Sequence, residues 1–172
     1  MSPTTKTVIR YALVLVTAAV LQRGLFSQIR IAGAVPDALL VVAVAAGVVS
    51  GTQRGAVVGF FAGLTLDLML ITPFGLGAAS YLAAGALAGA LESSIVRASR
   101  WFTVVIAVMS AVVGVGVFAL LGTILGQAQM LGRHLLVVML VVGVSTAILV
   151  LPAARVCRWA EKDSDHLRPA MR

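Results

Sequence analysis

The sequence predicts an all-α fold: one bundle of six transmembrane helices with no separate soluble domain. Three observations carry that expectation. Hydrophobic residues make up 60% of the 172 residues and charged residues only 11%, where a soluble domain carries roughly a quarter. Mean hydropathy is +1.08, which leaves too little polar surface to solvate a globule of this size. The apolar residues also fall into six blocks, separated by short connections rich in Gly, Pro and charge.

The blocks cover residues 8–25, 36–49, 55–71, 77–91, 102–125 and 135–154. A spanning helix needs about 20 residues, with a lower limit near 17. The first, fifth and sixth meet this comfortably. The second and fourth are short, so they either thin the bilayer locally or extend into their flanks. Five spans with one re-entrant segment is the structural alternative. Lys6 and Arg10 before an apolar run ending near Ala18 and Ala19 also suit a signal peptide. The cleavage site is poor, however, and the topology works better if the segment stays.

Ser50-Gly-Thr-Gln-Arg54 reads as a tight polar turn that folds the second and third helices into a hairpin. Thr72-Pro-Phe-Gly75 is a second turn, with Pro73 suited to position i+1. The longer connections are 26–35, 92–101 and 126–134. Lys and Arg set the orientation. Six spans place Lys6, Arg10, Arg54, Arg97, Arg100, Arg155, Arg158, Lys162, Arg168 and Arg172 on one side, and Arg23, Arg30 and Arg133 on the other. The richer side is expected to be cytoplasmic and to hold both termini. Tyr11, Trp101 and Trp159 then fall at the cytoplasmic interface, where amphipathic aromatics settle. Residues 1–154 form the transmembrane domain in this reading. Residues 155–172 form a basic cytoplasmic tail that starts either as a short amphipathic helix on anionic lipid or as a solvated strand of chain.

The net charge of +7 reads as topology signals and contacts to lipid headgroups rather than nucleic-acid binding, for which no pattern is present. Cys157 is the only cysteine, so no intrachain disulfide is possible. His134 and His166 lack neighbours at metal-ligand spacing, and no metal or cofactor is assigned. No Walker loop, nucleophile with a base, or cluster of acids is present, which argues against an enzyme.

Asp67 is the unusual residue, an acid within an apolar block. Gly55, Gly59, Gly63 and Asp67 recur every four residues, so on a helix they share one slowly drifting stripe. Three glycines make a groove that another helix can approach closely. The carboxylate beyond them is expected to face protein or water, because facing lipid is costly. Asp67 lies 13 residues from Arg54, about 20 Å at helical rise, toward the external face. Pro36 suits the first helical position there, with Asp37 in the first turn complementing the helix dipole. Asp37, Asp67, the Pro73-Phe74-Gly75 turn and nearby Arg23 together form a candidate docking surface for a partner helix. Structural capping and ordinary turn formation are the plain alternatives. Gly47/Gly51, Gly85/Gly89 (with Gly77 and Tyr81 in register) and Gly122/Gly126 are further GxxxG pairs, read as internal packing.

Pro36-Asp37-Ala-Leu-Leu, then Gly51-x-x-Arg54-Gly55-Ala-Val-Val-Gly59-Phe60-Phe61-Ala-Gly63-Leu64-x-x-Asp67, then Pro73-Phe74-Gly75-Leu76-Gly77, resembles the MreD family of bacterial rod-shape membrane proteins. The motifs cover residues 36 to about 89; elsewhere only size, helix layout and topology agree. Gly/Ala-rich stretches replace much of the Leu-rich background such a protein would have. The resemblance implies a non-enzymatic scaffold in the cytoplasmic (inner) membrane, acting in cell shape and lateral peptidoglycan elongation. Its implied partner is an MreC-like bitopic protein, and through it the peptidoglycan synthases and the actin-like MreB filament. It also implies a fold similar to the substrate-binding subunits of energy-coupling-factor vitamin transporters, and such a transporter subunit is the alternative function. Pro36, Asp37, Gly59, Gly63, Asp67, Pro73, Phe74 and Gly75 are the positions that match.

Overall fold

A computed structural model describes residues 3–25, 28, 33–70, 74–93, 100–126 and 134–162. It is all-α. Its helices are α1 (Pro3–Gly24), α2 (Ala38–Ser50), α3 (Thr52–Asp67), α4 (Leu76–Ser93), α5 (Arg100–Ile124) and α6 (His134–Glu161). Three stretches, Thr5–Gly24, Trp101–Ile124 and Leu135–Glu161, are long and apolar enough to cross a membrane. Pro73, Arg30, Arg97, Arg133 and the tail beyond residue 162 lie outside the described residues.

α2 is the centre of the bundle. At 13 residues it is about 20 Å long, yet it touches every other helix. Ala38 through Gly47 are all buried. A helix enclosed by protein makes no demand on lipid thickness, which is how so short an element fits. The interior around it is built of small residues: Ala43, Ala45, Ala46, Ala84, Ala88, Ala107 and Ala111 are fully buried. Small side chains bring backbones close, and close backbones maximise dispersion contacts where no water is available to drive association.

The bulky apolar residues face outward instead. Leu136, Leu140, Val144 and Ile148 recur every four residues along α6, and each is more than half exposed. Phe102, Val105, Met109, Leu120 and Ile124 do the same on α5. A continuous exposed apolar surface is a liability in water and costs nothing in lipid. The arrangement is that of a membrane protein.

Several boundaries differ from the sequence expectation. Thr52, Gln53 and Arg54 belong to the first turn of α3, not to a loop. Gly51 alone separates α2 from α3, at φ +84 and ψ 178, a conformation open to glycine and to few other residues. Asp37 is the N-cap of α2 rather than a residue of its first turn, because Pro36 stays outside the helix. The tail expected from residue 155 is helical through Glu161, and Cys157 and Ala160 are fully buried in the core. Pro152 does not end α6; apolar blocks tolerate an internal Pro when neighbouring elements compensate for the missing hydrogen bond.

Candidate functional site

The sequence motifs converge on the α2–α3–α4 unit, and its chemistry starts from backbone groups. The first N–H groups of any helix lack intrahelical acceptors. Asp67, at the last position of α3, supplies them to α4. One carboxylate oxygen accepts from the Gly77 amide at 2.8 Å. The other accepts from Gly75 at 2.9 Å and Ala78 at 3.1 Å. A negative charge at a helix N-terminus also meets the positive end of the dipole. Only 3% of Asp67 is exposed. Gly77 leaves the room: a side chain there would collide with the Asp67 carboxylate.

The glycine stripe leads up to this cap, and it is not an open groove. α4 fills it. A Cβ at Gly63 would strike the Gly77 carbonyl, one at Gly59 the Tyr81 carbonyl, and one at Gly55 the Gly85 carbonyl. Gly47 on α2 meets the same Gly85 carbonyl, and Gly89 packs against Gly51 and Thr52. The expectation of a vacant, carboxylate-lined notch for a foreign helix is therefore corrected. The stripe is consumed by packing within the chain, and the carboxylate faces α4.

Asp37 repeats the capping logic on α2. One oxygen accepts from the Leu40 amide at 3.1 Å, and the other accepts the Tyr81 hydroxyl of α4. Gln22 of α1 completes the junction: its amide group donates to the Pro36 carbonyl at 3.1 Å and its oxygen accepts from the Ala38 amide at 2.8 Å. Arg23 donates to the Met69 carbonyl just beyond α3, at 3.2 Å. Arg23 thus belongs to the same end of the bundle as Asp37 and Asp67. Phe74 projects outward, 69% exposed, and Gly75 turns at φ +97 into α4.

The opposite end has its own centre, Glu161. One carboxylate oxygen accepts from the Tyr11 hydroxyl at 3.1 Å and the Ser50 hydroxyl at 3.0 Å, and the other pairs with Arg54. One acid thereby ties α1, α2, α3 and α6 together. Arg10 adds a contact from α1 to α6, stacking over the Trp159 ring with 5.2 Å to the ring centre. The hub is not legible in the sequence, where Glu161 falls in a C-terminal stretch that reads equally as an amphipathic helix on lipid or as a solvated tail. The available signal was a single acid among Arg155, Arg158 and Lys162 at a helix end. In the sequence Tyr81 stands out only for its register with the glycines, and Gln22 not at all. A lone amide in an apolar block is the signal that could have found it.

Comparison of the chain with known protein families, with characterised proteins and with solved structures finds no match.

Proposed function

We propose that this chain is a non-enzymatic scaffold of the bacterial cell-shape and lateral peptidoglycan elongation machinery, holding the membrane anchor of an MreC-like bitopic partner. One observation supports the reading above the others. Six of the described residues that carry the MreD resemblance hold α2, α3 and α4 together as one unit. Asp37 and Asp67 cap helices, Gly55, Gly59 and Gly63 set the helix spacing, and Gly75 forms the turn into α4. A motif devoted to rigidity, with its acids consumed by backbone amides, suits a platform better than a catalyst.

The rest of the proposal follows from that platform. Six helices cross the cytoplasmic membrane and both termini face the cytoplasm. The contacts of Tyr11, Ser50, Arg54 and Glu161 support this by gathering the start of α1, the α2–α3 turn and the end of α6 at one end of the bundle. The partner's anchor meets an outer face of the unit, since the glycine seam is already filled. The vitamin-transport alternative requires polar recognition at the Asp67 end. The groove there is lined by Val16, Ala19, Val20, Arg23, Gly24, Thr65 and Met69, a poor complement to a vitamin's polar groups.

Affinity purification of the full chain from native membranes, followed by mass spectrometry, tests the proposal. Recovery of a bitopic protein with an extracytoplasmic domain, together with wall-synthesis enzymes, is the expected result. Recovery of an ATPase pair instead would reject it.

A further inference from the structure

A second, larger groove lies between α1 and α3 at the Glu161 end, with a volume of about 1290 Å³. Val8 and Ala12 of α1 form one wall and Val57 and Phe61 of α3 the other. Val8, Val57 and Phe61 are each more than half exposed, so the groove opens sideways, onto the same apolar surroundings as the outer faces of α5 and α6. Its end is different. Arg54, Arg158, Glu161 and Lys162 line it. Glu161 is the one carboxylate among the described lining residues, and it is taken up by Arg54, Tyr11 and Ser50. Arg158 on the last turns of α6 and Lys162 directly after its end are four residues apart, on the same side of the chain, and both are exposed. The rim therefore carries a surplus of positive charge above an apolar slot.

From this we propose that the α1–α3 groove is a binding site for one anionic phospholipid, its phosphate held by Arg158 and Lys162 and its acyl chains lying between α1 and α3. The charge pattern selects this occupant. A diacyl anionic lipid is apolar along its length and negative at one end, as the groove is apolar along its walls and positive at one end. The light packing of α1 against its neighbours leaves the slot unfilled by protein. Arg and Lys at the rim distinguish an anionic headgroup from a zwitterionic one of equal chain length by local charge.

The test uses the purified full chain in detergent, native mass spectrometry, and added dioleoyl phosphatidylglycerol or dioleoyl phosphatidylethanolamine. Wild type is expected to retain one phosphatidylglycerol in preference to phosphatidylethanolamine. The Arg158→Gln/Lys162→Gln double variant is expected to lose that preference by at least about tenfold. Arg23→Gln, at the other end of the bundle, is expected to keep it. Ala12→Trp fills the slot and is expected to expel the lipid with the cations intact. Equal retention of the two lipids by wild type, or undiminished preference in the double variant, overturns the proposal. So does a photocrosslinking residue placed at Ala12 in native membranes if it captures a second copy or another protein's helix rather than lipid. No partner protein enters the lipid measurements, so their outcome is separate from that of the scaffold reading.

Discussion

Asp67 is held by three backbone N–H donors and almost no solvent. Asp67→Ala leaves those donors without their acceptor at a helix terminus that is enclosed by protein. An unsatisfied buried donor costs about 1–3 kcal/mol, and a lost cap about 1 kcal/mol. The variant should lose about 3 kcal/mol of stability, read as a lowered thermal midpoint in detergent, and Asp67→Asn, which keeps one acceptor oxygen, should lose about half as much. A partner that fails to co-purify with Asp67→Ala would then reflect a loosened α3–α4 junction. Thr146 presents the opposite case. It is fully buried in α6, and its hydroxyl has no hydrogen-bond partner among the described residues. Burying such a hydroxyl costs more than burying a methyl of the same shape, so Thr146→Val should raise the same midpoint, by the equivalent of about 1 kcal/mol. A lowered midpoint would show that the hydroxyl is in use. The acid in an apolar block was legible from the sequence, as was the need for a polar or protein environment around it. Its direction was not, because the acceptor for α4's amides depends on how α3 ends. α3 stops at Asp67 itself, four residues before the apolar block does.

At the scale of elements, the α3–α4 seam is set by glycine. Gly63→Ala drives a methyl into the Gly77 backbone. Backbone cannot step aside as a flexible side chain can, so overpacking there should cost about 3 kcal/mol. Gly116 in α5 is the control, since an added Cβ would meet only the end of Met139, at 3.5 Å. Gly116→Ala should be neutral or stabilise by up to about 1 kcal/mol through helix propensity. Comparable losses in the two variants would show that intrinsic propensity, not the seam, dominates. α1 differs from α2 in kind. It packs lightly, while α2 is enclosed, so hydrogen exchange in detergent should open the α1 amides well before those of α2. The blocks and their order were readable from hydropathy alone. Which helix fills which glycine stripe was not, because spacing marks a face without naming what lies against it. Tyr81 shows why: its link to Asp37 crosses 44 residues and depends on the relative height of two helices.

For the molecule as a whole, the proposed orientation has a direct test. In a Cys157→Ala background, single cysteines at Gln28 and Ser93 should react with impermeant reagents from opposite sides of the membrane. Modification of both from one side would exclude the six-span layout. The two ends of the bundle are built on different chemistry. Asp37 and Asp67 satisfy backbone amides at one end, whereas Glu161 joins hydroxyls and a guanidinium at the other. The charge asymmetry behind the orientation was plain in the sequence. The Glu161 hub was hidden, because it unites residues as far apart as Tyr11 and Glu161, which only the closed bundle brings together.

The single residue between α2 and α3 bears on how the protein is made. In the proposed six-span layout, Gly51 offers no slack between α2 and α3, so neither of these helices can settle far from the other during insertion. Residues 38–67 are then expected to enter the bilayer as one hairpin, the central element of the bundle already beside its neighbour.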